Sequence, residues 1–515
     1  MSWEPEIEEL RRREALAKRM GGEEKVARHR SQGKLTVRER VDALVDAGSF
    51  HEIGAIAGKA TYDADGTLTD LQPANLVTGR ARLDGRPVVV SGDDFTVRGG
   101  ANDAGIREKM VQVEKMANEL HLPLIRLVDG TGGGGSVKTI EMVGRTYIPA
   151  VRGWDVVVDN LSTVPVVALA LGSVAGLGAA RVAASHYSVM VKETSQMFVA
   201  GPPVVARVDA AIGKNELGGS DIHTRNGAVD DEVASEAEAF AAARRFLSYL
   251  PPSVHQAAER VTPEDDPARR EDWLISAIPR DPRKVYKMRP IVEAVVDRGS
   301  FFEIGRRWGR GVITGLARLD GWPVAVLASD PYFAGGAWTA DASQKVTRFV
   351  DLAETFQLPV VHLVDIPGFL IGRAAEVQAT IRHGVHALTA VCQATVPWCA
   401  MLVRKVYGVA GAAHMNSSRF NLRYAWPSGD WGSLPVAGGL EAAYKAELEA
   451  SDDPQAKLQE IEARIAKLRS PFRTAEQFLV EEIVDPRDTR PLLCEFANLA
   501  APLRRPRKPQ FGYRP

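Results

Sequence analysis

Two stretches of this sequence combine an apolar run, a glycine turn and small residues that favour a helix. The first, Val164–Ala184, reads VPVVALALGSVAGLGAARVAA. Its apolar part is typical of a buried strand, and its alanine-rich end predicts a helix start. A strand, a tight turn and a helix start together leave backbone N–H groups free to stabilise an oxyanion. The alternative is a turn that only packs a helix on a sheet.

The second stretch repeats this design. Val396–Ala413 reads VPWCAMLVRKVYGVAGAA, and Gly408 matches Gly176 of the first stretch. A lone glycine turn is a weak signal, but two copies of the same strand–turn–helix pattern favour a shared chemical task. The sequence therefore predicts two oxyanion-binding corners.

An internal repeat organises the rest of the chain. Residues 77–101 and 313–337 are identical at more than half of their positions at a constant offset of 236, and Asp129 and Asp365 keep that offset. In both copies an Asp-Gly pair separates two strand-like runs, which predicts a hairpin turn. Helices are expected over roughly 103–120 and 340–356. Strands that alternate with helices predict an α/β fold in two duplicated domains, 1–265 and 266–515.

Local signals define the N-terminal region and the connection between the repeats. Residues 4–45 are charged and helical in pattern, and Thr36 with Glu39 predicts a capping box. Residues 250–285 are rich in proline and charge, as linkers are.

Composition limits the classes of function. The 515 residues carry a net charge of −1, which gives no overall attraction to nucleic acid or to an anionic membrane. There is no uninterrupted apolar run of about 18 residues, and the N-terminus lacks a secretory leader pattern. The cysteines Cys392, Cys399 and Cys494 form no CxxC pair, which favours a reducing compartment. We expect a cytoplasmic protein that binds no metal.

Several longer motifs together resemble the carboxyltransferase (β) subunit of biotin-dependent acyl-CoA carboxylases of the propionyl-CoA and methylcrotonyl-CoA type. The matching motifs are GKLTVRERVDAL (33–44), GDDFTVRGGA (92–101), VMVKETSQMFVAGPPVV (189–205), ELGGSDIHTRNGAVD (216–230), VDIPGFLIG (364–372), IRHGVHAL (381–388), RKVYG (404–408), YAWP (424–427) and EEIVDPRDTR (481–490). The resemblance implies two tandem crotonase-like spiral domains, the first for the acyl-CoA and the second for biotin.

The resemblance also assigns the two corners. The backbone N–H groups of Gly176 and Leu177 are expected to hold the thioester oxygen, and those of Val409 and Ala410 the ureido oxygen of biotin. The biotin nitrogen that loses CO₂ can itself take the α-proton, so no side-chain base is expected. Relatives carry Gly-Gly-Ala at both corners, and this chain departs from that pattern. A β-branched residue such as Val409 disfavours the positive φ that glycine allows.

Further site residues follow from the same resemblance. The residues expected to bind acyl-CoA are Lys34, Arg98, Gly99, Gly100, Ala101, Gly132, Gly133 and Gly134. Those expected to line the biotin and acyl pocket are Asp365, Pro367, Gly368, Tyr407, Gly408 and Ala412. For Lys34 and Arg98 a solvated surface position is the alternative. Ala412 stands where the propionyl type has an aspartate, which suggests a different acyl group.

The predicted function is transfer of a carboxyl group from carboxybiotin to the α (or vinylogous) carbon of an acyl-CoA, via an enolate. The chain has no Ala-Met-Lys-Met biotin-attachment site and no ATP-binding glycine loop, so a biotin carboxylase and carrier (α) subunit is the implied partner. The resemblance implies a homo-hexamer within an α6β6 complex. A decarboxylase subunit of the same family and a non-catalytic paralogue of the ring are the alternatives.

Overall fold

The computed structural model describes residues 2–101, 105–130, 140–141, 144–146, 148, 150–434 and 436–515. The chain divides into two compact units, Met1–Gln256 with Arg507–Pro515, and Ala257–Pro506. Among the described residues, no helix combines the length and the apolar character needed to cross a membrane.

The first unit is built on a sheet whose strands follow the order β1-β4-β5-β6-β7-β9-β11. The strands are β1 (His51–Glu52), β2 (Gly58–Tyr62), β3 (Leu68–Pro73), β4 (Leu76–Leu83), β5 (Arg86–Asp93), β6 (Leu124–Val128), β7 (Val166–Ala170), β8 (Ser173–Ala175), β9 (Tyr187–Val191), β10 (Gln196–Phe198) and β11 (Asp231–Val233). The helices are α1 (Glu4–Lys18), α2 (Glu23–Ser31), α3 (Val37–Leu44), α4 (Arg107–Glu119), α5 (Trp154–Asn160), α6 (Leu177–Ala183), α7 (Pro202–Val205), α8 (Lys214–Gly218), α9 (Ser220–Asn226) and α10 (Glu236–Ser248).

The second unit repeats this sheet in the order β12-β13-β14-β15-β16-β17-β19, and β18 pairs with the end of β16. The strands are β12 (Phe302–Ile304), β13 (Val312–Leu319), β14 (Trp322–Ser329), β15 (Val360–Ile366), β16 (Trp398–Tyr407), β17 (Leu422–Ala425), β18 (Asp430–Gly432) and β19 (Glu482–Ile483). The helices are α11 (Met288–Val295), α12 (Ala340–Thr355), α13 (Arg373–Val377), α14 (Thr380–Gln393), α15 (Gly408–Ala412), α16 (Val436–Ala443), α17 (Lys445–Glu449), α18 (Pro454–Leu468), α19 (Pro471–Glu476) and α20 (Thr489–Ala500).

The register of the strands confirms the duplication. In the first unit an antiparallel hairpin, β4–β5, leads into the parallel strands β6, β7, β9 and β11. In the second unit β13–β14 leads in the same way into β15, β16, β17 and β19. The central parallel strands are buried along their whole length, as expected for strands covered on both faces.

The predicted hairpin turns are present in both units, and each is held by an aspartate from outside the hairpin. Asp84 and Gly85 both have positive φ, which a two-residue hairpin turn of the primed type requires. Asp46 accepts hydrogen bonds from both of their amides, at 2.9 and 2.8 Å. Asp297 does the same for the equivalent turn of the second unit.

The predicted capping box starts α3. The Thr36 hydroxyl accepts a hydrogen bond from the Glu39 amide, and the Glu39 carboxylate accepts one from the Thr36 amide at 2.8 Å. The box fixes the start of a helix whose buried Arg40 reaches the centre of the unit. Local sequence and interior packing are therefore linked at this helix.

We expect Thr36→Ala to lower the free energy of unfolding by about 1 kcal/mol, because it removes a side-chain cap from the first turn of α3. Urea unfolding measures the change. Thr36→Ser, which keeps the hydroxyl, is the matched control and should stay close to the wild type. Equal midpoints for the alanine and serine variants would show that the cap contributes nothing.

Candidate active site

The corner of the first unit lies between β8 and α6. β8 pairs in parallel with β10 in a small sheet of its own, and Gly176 follows β8 with φ +57°. The Gly176 amide donates a hydrogen bond to the Phe198 carbonyl of β10, at 3.2 Å. That amide is therefore occupied within the unit.

The next amides of this corner point out of the helix start. Ala180 is the residue whose amide bonds back to the Gly176 carbonyl, at 3.0 Å. The Leu177 and Gly178 amides precede it in the first turn, where N–H groups have no partner within the helix. The expected pair of donors, Gly176 and Leu177, stays a prediction. Within this pair the Gly176 amide is engaged by the neighbouring strand, and the Leu177 amide lies in the first turn of the helix.

The corner of the second unit has the same construction. β16 continues into Tyr407, pairs there with β18, and turns at Gly408, which has φ +61°. The Val409 and Ala410 amides belong to the first turn of α15 and have no partner within it. The Ala413 amide bonds back to the Val409 carbonyl at 3.1 Å.

The positive φ explains why the unusual residues are accepted. It falls on Gly176 in one unit and on Gly408 in the other. Leu177 and Val409 stand one residue later, at the start of a helix, where any side chain is sterically allowed. The departures from Gly-Gly-Ala therefore do not disturb the backbone of either corner.

A buried ionic network lies at the end of β6 in the first unit. Arg40 makes a bidentate contact with Glu236 and donates to Asp129 at 2.9 Å. Asp129 is 0% exposed. Gly172 packs against it so closely that a Cβ there would lie 1.9 Å from a carboxylate oxygen. The sequence analysis missed this network, because its partners come from three distant segments.

Lys34 is buried beside this network and not on a solvated face. Its Nζ lies 3.8 Å from the Asp129 carboxylate and 5.3 Å from the centre of the Phe95 ring. Burial lowers the pKa of this lysine, and the nearby Asp129 carboxylate opposes that effect. A buried ammonium with few contacts is well suited to receive an anionic or polar ligand atom.

The glycine turn expected to bind acyl-CoA approaches the end of β6. Gly99 and Gly100 both have positive φ. A Cβ on Gly100 would lie 2.6 Å from the Cα of Gly130, so the two backbones touch. Ala101 is buried and Arg98 is exposed. Gly132, Gly133 and Gly134 lie outside the described residues.

Asp129 and its equivalent in the second unit, Asp365, each donate a backbone hydrogen bond to the side chain of an equivalent residue. The Asp129 amide donates to the Asp93 carboxylate at 3.3 Å, and the Asp365 amide donates to the Ser329 hydroxyl at 3.0 Å. Asp93 also pairs with Arg181 of α6 at 3.3 Å. Burial raises the pKa of Asp93, and Arg181 opposes the rise. The repeated bond indicates a structural task for Asp93.

In the second unit Asp365 is 0% exposed and its carboxylate is engaged inside the unit. It accepts hydrogen bonds from the Arg404 guanidinium, the Tyr286 hydroxyl and the Lys405 amide. Asp365 therefore links β15 and β16 through hydrogen bonds, and its expected place in the biotin and acyl pocket stays a prediction.

The other residues expected at the biotin side lie after β15, at the end of β16, or at the first and last positions of α15. The Tyr407 hydroxyl lies 2.6 Å from an Arg469 nitrogen, and Arg469 also pairs with Asp430. Gly368, which follows Pro367, has φ +128° and accepts a bond from the Trp338 amide. Ala412 is exposed.

Two histidines are buried behind α15. His362 of β15 contacts the His414 carbonyl through Nδ1 at 2.9 Å. Burial lowers the pKa of His362 to about 3 and that of His414 to about 4. Within the described part of the chain, no group of three or more His, Cys, Asp or Glu side chains is placed to hold a metal ion.

The carboxyl transferase domain family matches residues 28–511 of this chain. The chain belongs to the carboxyl transferase family. The carboxyltransferase subunit of propionyl-CoA carboxylase from Haloferax mediterranei is 33% identical over 499 residues, which cover 95% of each chain. The α subunit of methylmalonyl-CoA decarboxylase from Veillonella parvula is 30% identical over 98% of this chain and 97% of that protein.

A solved structure of a carboxyltransferase is also similar to this chain. Transcarboxylase 12S, described as a hexamer with methylmalonyl-coenzyme A and methylmalonic acid bound, is 29% identical with a TM-score of 0.88, and the match covers 99% of this chain and 98% of that one. The comparisons confirm the resemblance and the α/β fold with two crotonase-like domains. This chain is a carboxyltransferase of the acyl-CoA carboxylase class.

Acid should destabilise this carboxyltransferase partly through His362. Its pKa is lower in the folded chain than the ordinary value of about 6.5, so its contribution to stability is complete above pH 6.5 and is lost as the pH falls toward the folded value. The loss amounts to about 1.4 kcal/mol per pH unit. His362→Asn, which keeps a donor for the His414 carbonyl, should remove this dependence.

Urea unfolding at pH 7 and pH 5 measures the effect. We expect the stability of the wild type to fall by about 2 kcal/mol more than that of His362→Asn between these values. The exposed His51 offers the control His51→Asn, which should behave as the wild type does. Identical acid sensitivity of the His362→Asn variant and the wild type would contradict the prediction.

Proposed function

We propose that this chain is the carboxyltransferase subunit of an acyl-CoA carboxylase and that it works with a separate biotin carboxylase and carrier subunit. The observation that supports it best is the pair of equivalent corners, each with two consecutive backbone amides that have no partner within their helix. Each corner would bind one of the two substrates. The first unit takes the acyl-CoA and the second takes biotin.

The first corner would stabilise the negative charge that forms on the thioester oxygen when the α-carbon becomes an enolate. The donors proposed are the Leu177 and Gly178 amides, because the Gly176 amide is bonded to Phe198. Each well-placed donor contributes about 3–4 kcal/mol to stabilisation of the transition state. Since the donors belong to the backbone, the identity of the side chain at Leu177 has little effect on this chemistry.

The second corner suits the ureido oxygen of biotin. A neutral carbonyl oxygen with two lone pairs matches the two N–H donors of Val409 and Ala410. Val409 is 51% exposed, and Ala410 is buried. The Tyr407 hydroxyl is engaged by Arg469. When bound, carboxybiotin supplies the activated carboxyl group.

The CoA portion is proposed to lie near the turn formed by Gly99 and Gly100, with Lys34 as the buried cation of that region. Lys34 can donate to an anionic or carbonyl oxygen, because its ammonium keeps donors beyond its contact with Asp129. Arg98, which is exposed, would contact a phosphate at the surface. We further propose a cytoplasmic homo-hexamer within an α6β6 complex.

Proline and alanine variants of each corner distinguish the contribution of the backbone amide to catalysis from that of the side chain. Leu177→Pro removes one N–H at the first helical position, where proline is well tolerated, and Leu177→Ala keeps it. We expect the proline variant to lose about 100- to 1000-fold in kcat and the alanine variant to stay near the wild type. Val409→Pro and Val409→Ala form the same pair at the second corner.

The assay is ATP- and bicarbonate-dependent fixation of ¹⁴C with the co-purified partner, over acyl-CoAs from acetyl to long, branched and aryl chains. Thermal unfolding of each variant controls for folding. Equal activities of the proline and alanine variants would exclude the amides as donors. Absence of fixation with every acyl-CoA, with the complex intact, would refute the proposed carboxylase.

Decarboxylation is the second candidate, because a decarboxylase subunit is among the relatives at 30% identity over 98% of this chain. The corners described here would serve transfer in either direction. Transfer from a carboxylated acyl-CoA to free biotin, faster than the forward reaction at equal saturation, would favour the decarboxylase. A faster forward reaction favours the carboxylase.

The acyl group is proposed to differ from propionyl, because Ala412 is small, uncharged and exposed at the second corner. We expect Ala412→Asp to move the preference in kcat/KM toward short acyl groups across the same panel. Ala412→Ser, which adds a polar group without charge, is the control. An unchanged order of substrates in the aspartate variant would remove the link between this position and chain length.

A further inference from the structure

The helix that carries the donors of the first corner is held at its other end by one buried arginine. Arg126 of β6 is 0% exposed. Its guanidinium donates to the Arg181 carbonyl at 3.1 Å and to the Ala184 carbonyl at 2.7 Å. Arg181 lies in the last turn of α6 and Ala184 directly follows the helix, where carbonyls have no amide partner within the helix.

The charge of Arg126 is balanced from the neighbouring helix. Glu114 of α4 accepts two hydrogen bonds from it, both 2.9 Å long, and Asn160 donates to Glu114. Glu114 is 2% exposed. Burial opposes ionisation of Glu114, but the pairing with Arg126 keeps its pKa below the ordinary value.

The second unit holds its helix at the same place with neutral groups. His362 occupies the position equivalent to Arg126, since Arg126 lies opposite Ala168 and His362 opposite Ala400 in the matching strands. His362 contacts the His414 carbonyl just beyond α15, and the Trp398 indole donates to the same oxygen at 2.9 Å.

The balancing carboxylate is absent from this position of the second unit. Val350, at the offset of 236 from Glu114, stands in its place and is 1% exposed. A guanidinium with a glutamate in one unit is thus replaced by an imidazole with a valine in the other. Both solutions donate a hydrogen bond to the carbonyl end of the helix that carries the donors.

We propose that Arg126 and His362 are positioning residues, each of which sets the reach of the oxyanion donors in its own unit by holding the far end of their helix. The two helices have seven and five residues, and at about 1.5 Å per residue a shift at one end is carried to the other. The inference rests on the proposed function of the corners. It adds residues that touch neither substrate.

Matched variants separate the hydrogen bond from the packing. In the first unit, Arg126→His with Glu114→Val copies the second unit and keeps a donor, while Arg126→Leu with Glu114→Val keeps none. In the second unit, His362→Asn keeps the donor at this position, and His362→Leu removes it and leaves the Trp398 indole as the remaining donor to the His414 carbonyl. Removal of the whole charge pair avoids a buried unpaired charge.

The readout is the infrared stretch of a ¹³C-labelled carbonyl in the bound ligand. The thioester carbonyl of the best acyl-CoA from the panel reports on the first corner, and the ureido carbonyl of biotin reports on the second. Strong hydrogen bonds lower these frequencies. Loss of the donor at Arg126 should raise only the thioester band, and loss of the donor at His362 should raise only the ureido band.

The kcat values should fall in the same variants whose infrared bands shift. We expect at least a tenfold loss in kcat for each variant that loses the donor at Arg126 or His362, and values within about twofold of the wild type for the two variants that keep one there. Equal bands and rates within a matched pair, or movement of both bands together, would overturn the proposal. Unshifted bands in the wild type would refute the proposed function of the corners instead.

Discussion

A buried aspartate at the end of a central strand is the constraint on which the rest of each unit depends. Asp129 follows β6, Asp365 is the penultimate residue of β15, and both are 0% exposed. A buried carboxylate is strongly unfavourable unless it is paired and hydrogen-bonded. Each unit therefore has to bring an arginine to it, and the origin of that arginine decides which segments are tied together.

The two units supply the arginine partner of the buried aspartate from different elements. In the first, Arg40 arrives from α3 and also binds Glu236 at the start of α10, so an N-terminal helix and a late helix meet at one point. In the second, Arg404 arrives from the adjacent strand β16, and Tyr286 completes the contact. The arginine of the first unit thus comes from a distant helix, and that of the second unit comes from the adjacent strand, with Tyr286 as a further partner.

Both corners keep the backbone of a glycine turn although the residues after the turn are Leu177 and Val409. The residue that needs a positive φ is a glycine in each unit, Gly176 and Gly408. The residues that follow lie at the start of a helix, where a side chain is sterically allowed. The backbone conformation of each corner therefore depends on the glycine of the turn and not on the side chain that follows it.

The sequence predicted the features that depend on neighbouring residues. The hairpin turn at Asp84 and Gly85, the capping box at Thr36 and the duplicated strand–turn–helix all follow from local pattern or from the repeat. The bond from the Gly176 amide to the Phe198 carbonyl did not, because its acceptor lies on another strand. Local residue spacing does not predict the partners of Arg40, because they lie 89 and 196 residues away in the sequence.

The exchange of Arg126 and Glu114 for His362 and Val350 has a consequence for how the two halves diverged. Loss of one member of a buried ion pair costs about 3–5 kcal/mol, which is a large part of the stability of an ordinary domain. If histidine replaces the arginine before valine replaces the glutamate, no charge is left unpaired, because a protonated imidazole can still pair with the glutamate. Homologous sequences should therefore show these two positions changing together, with histidine–glutamate as the intermediate state.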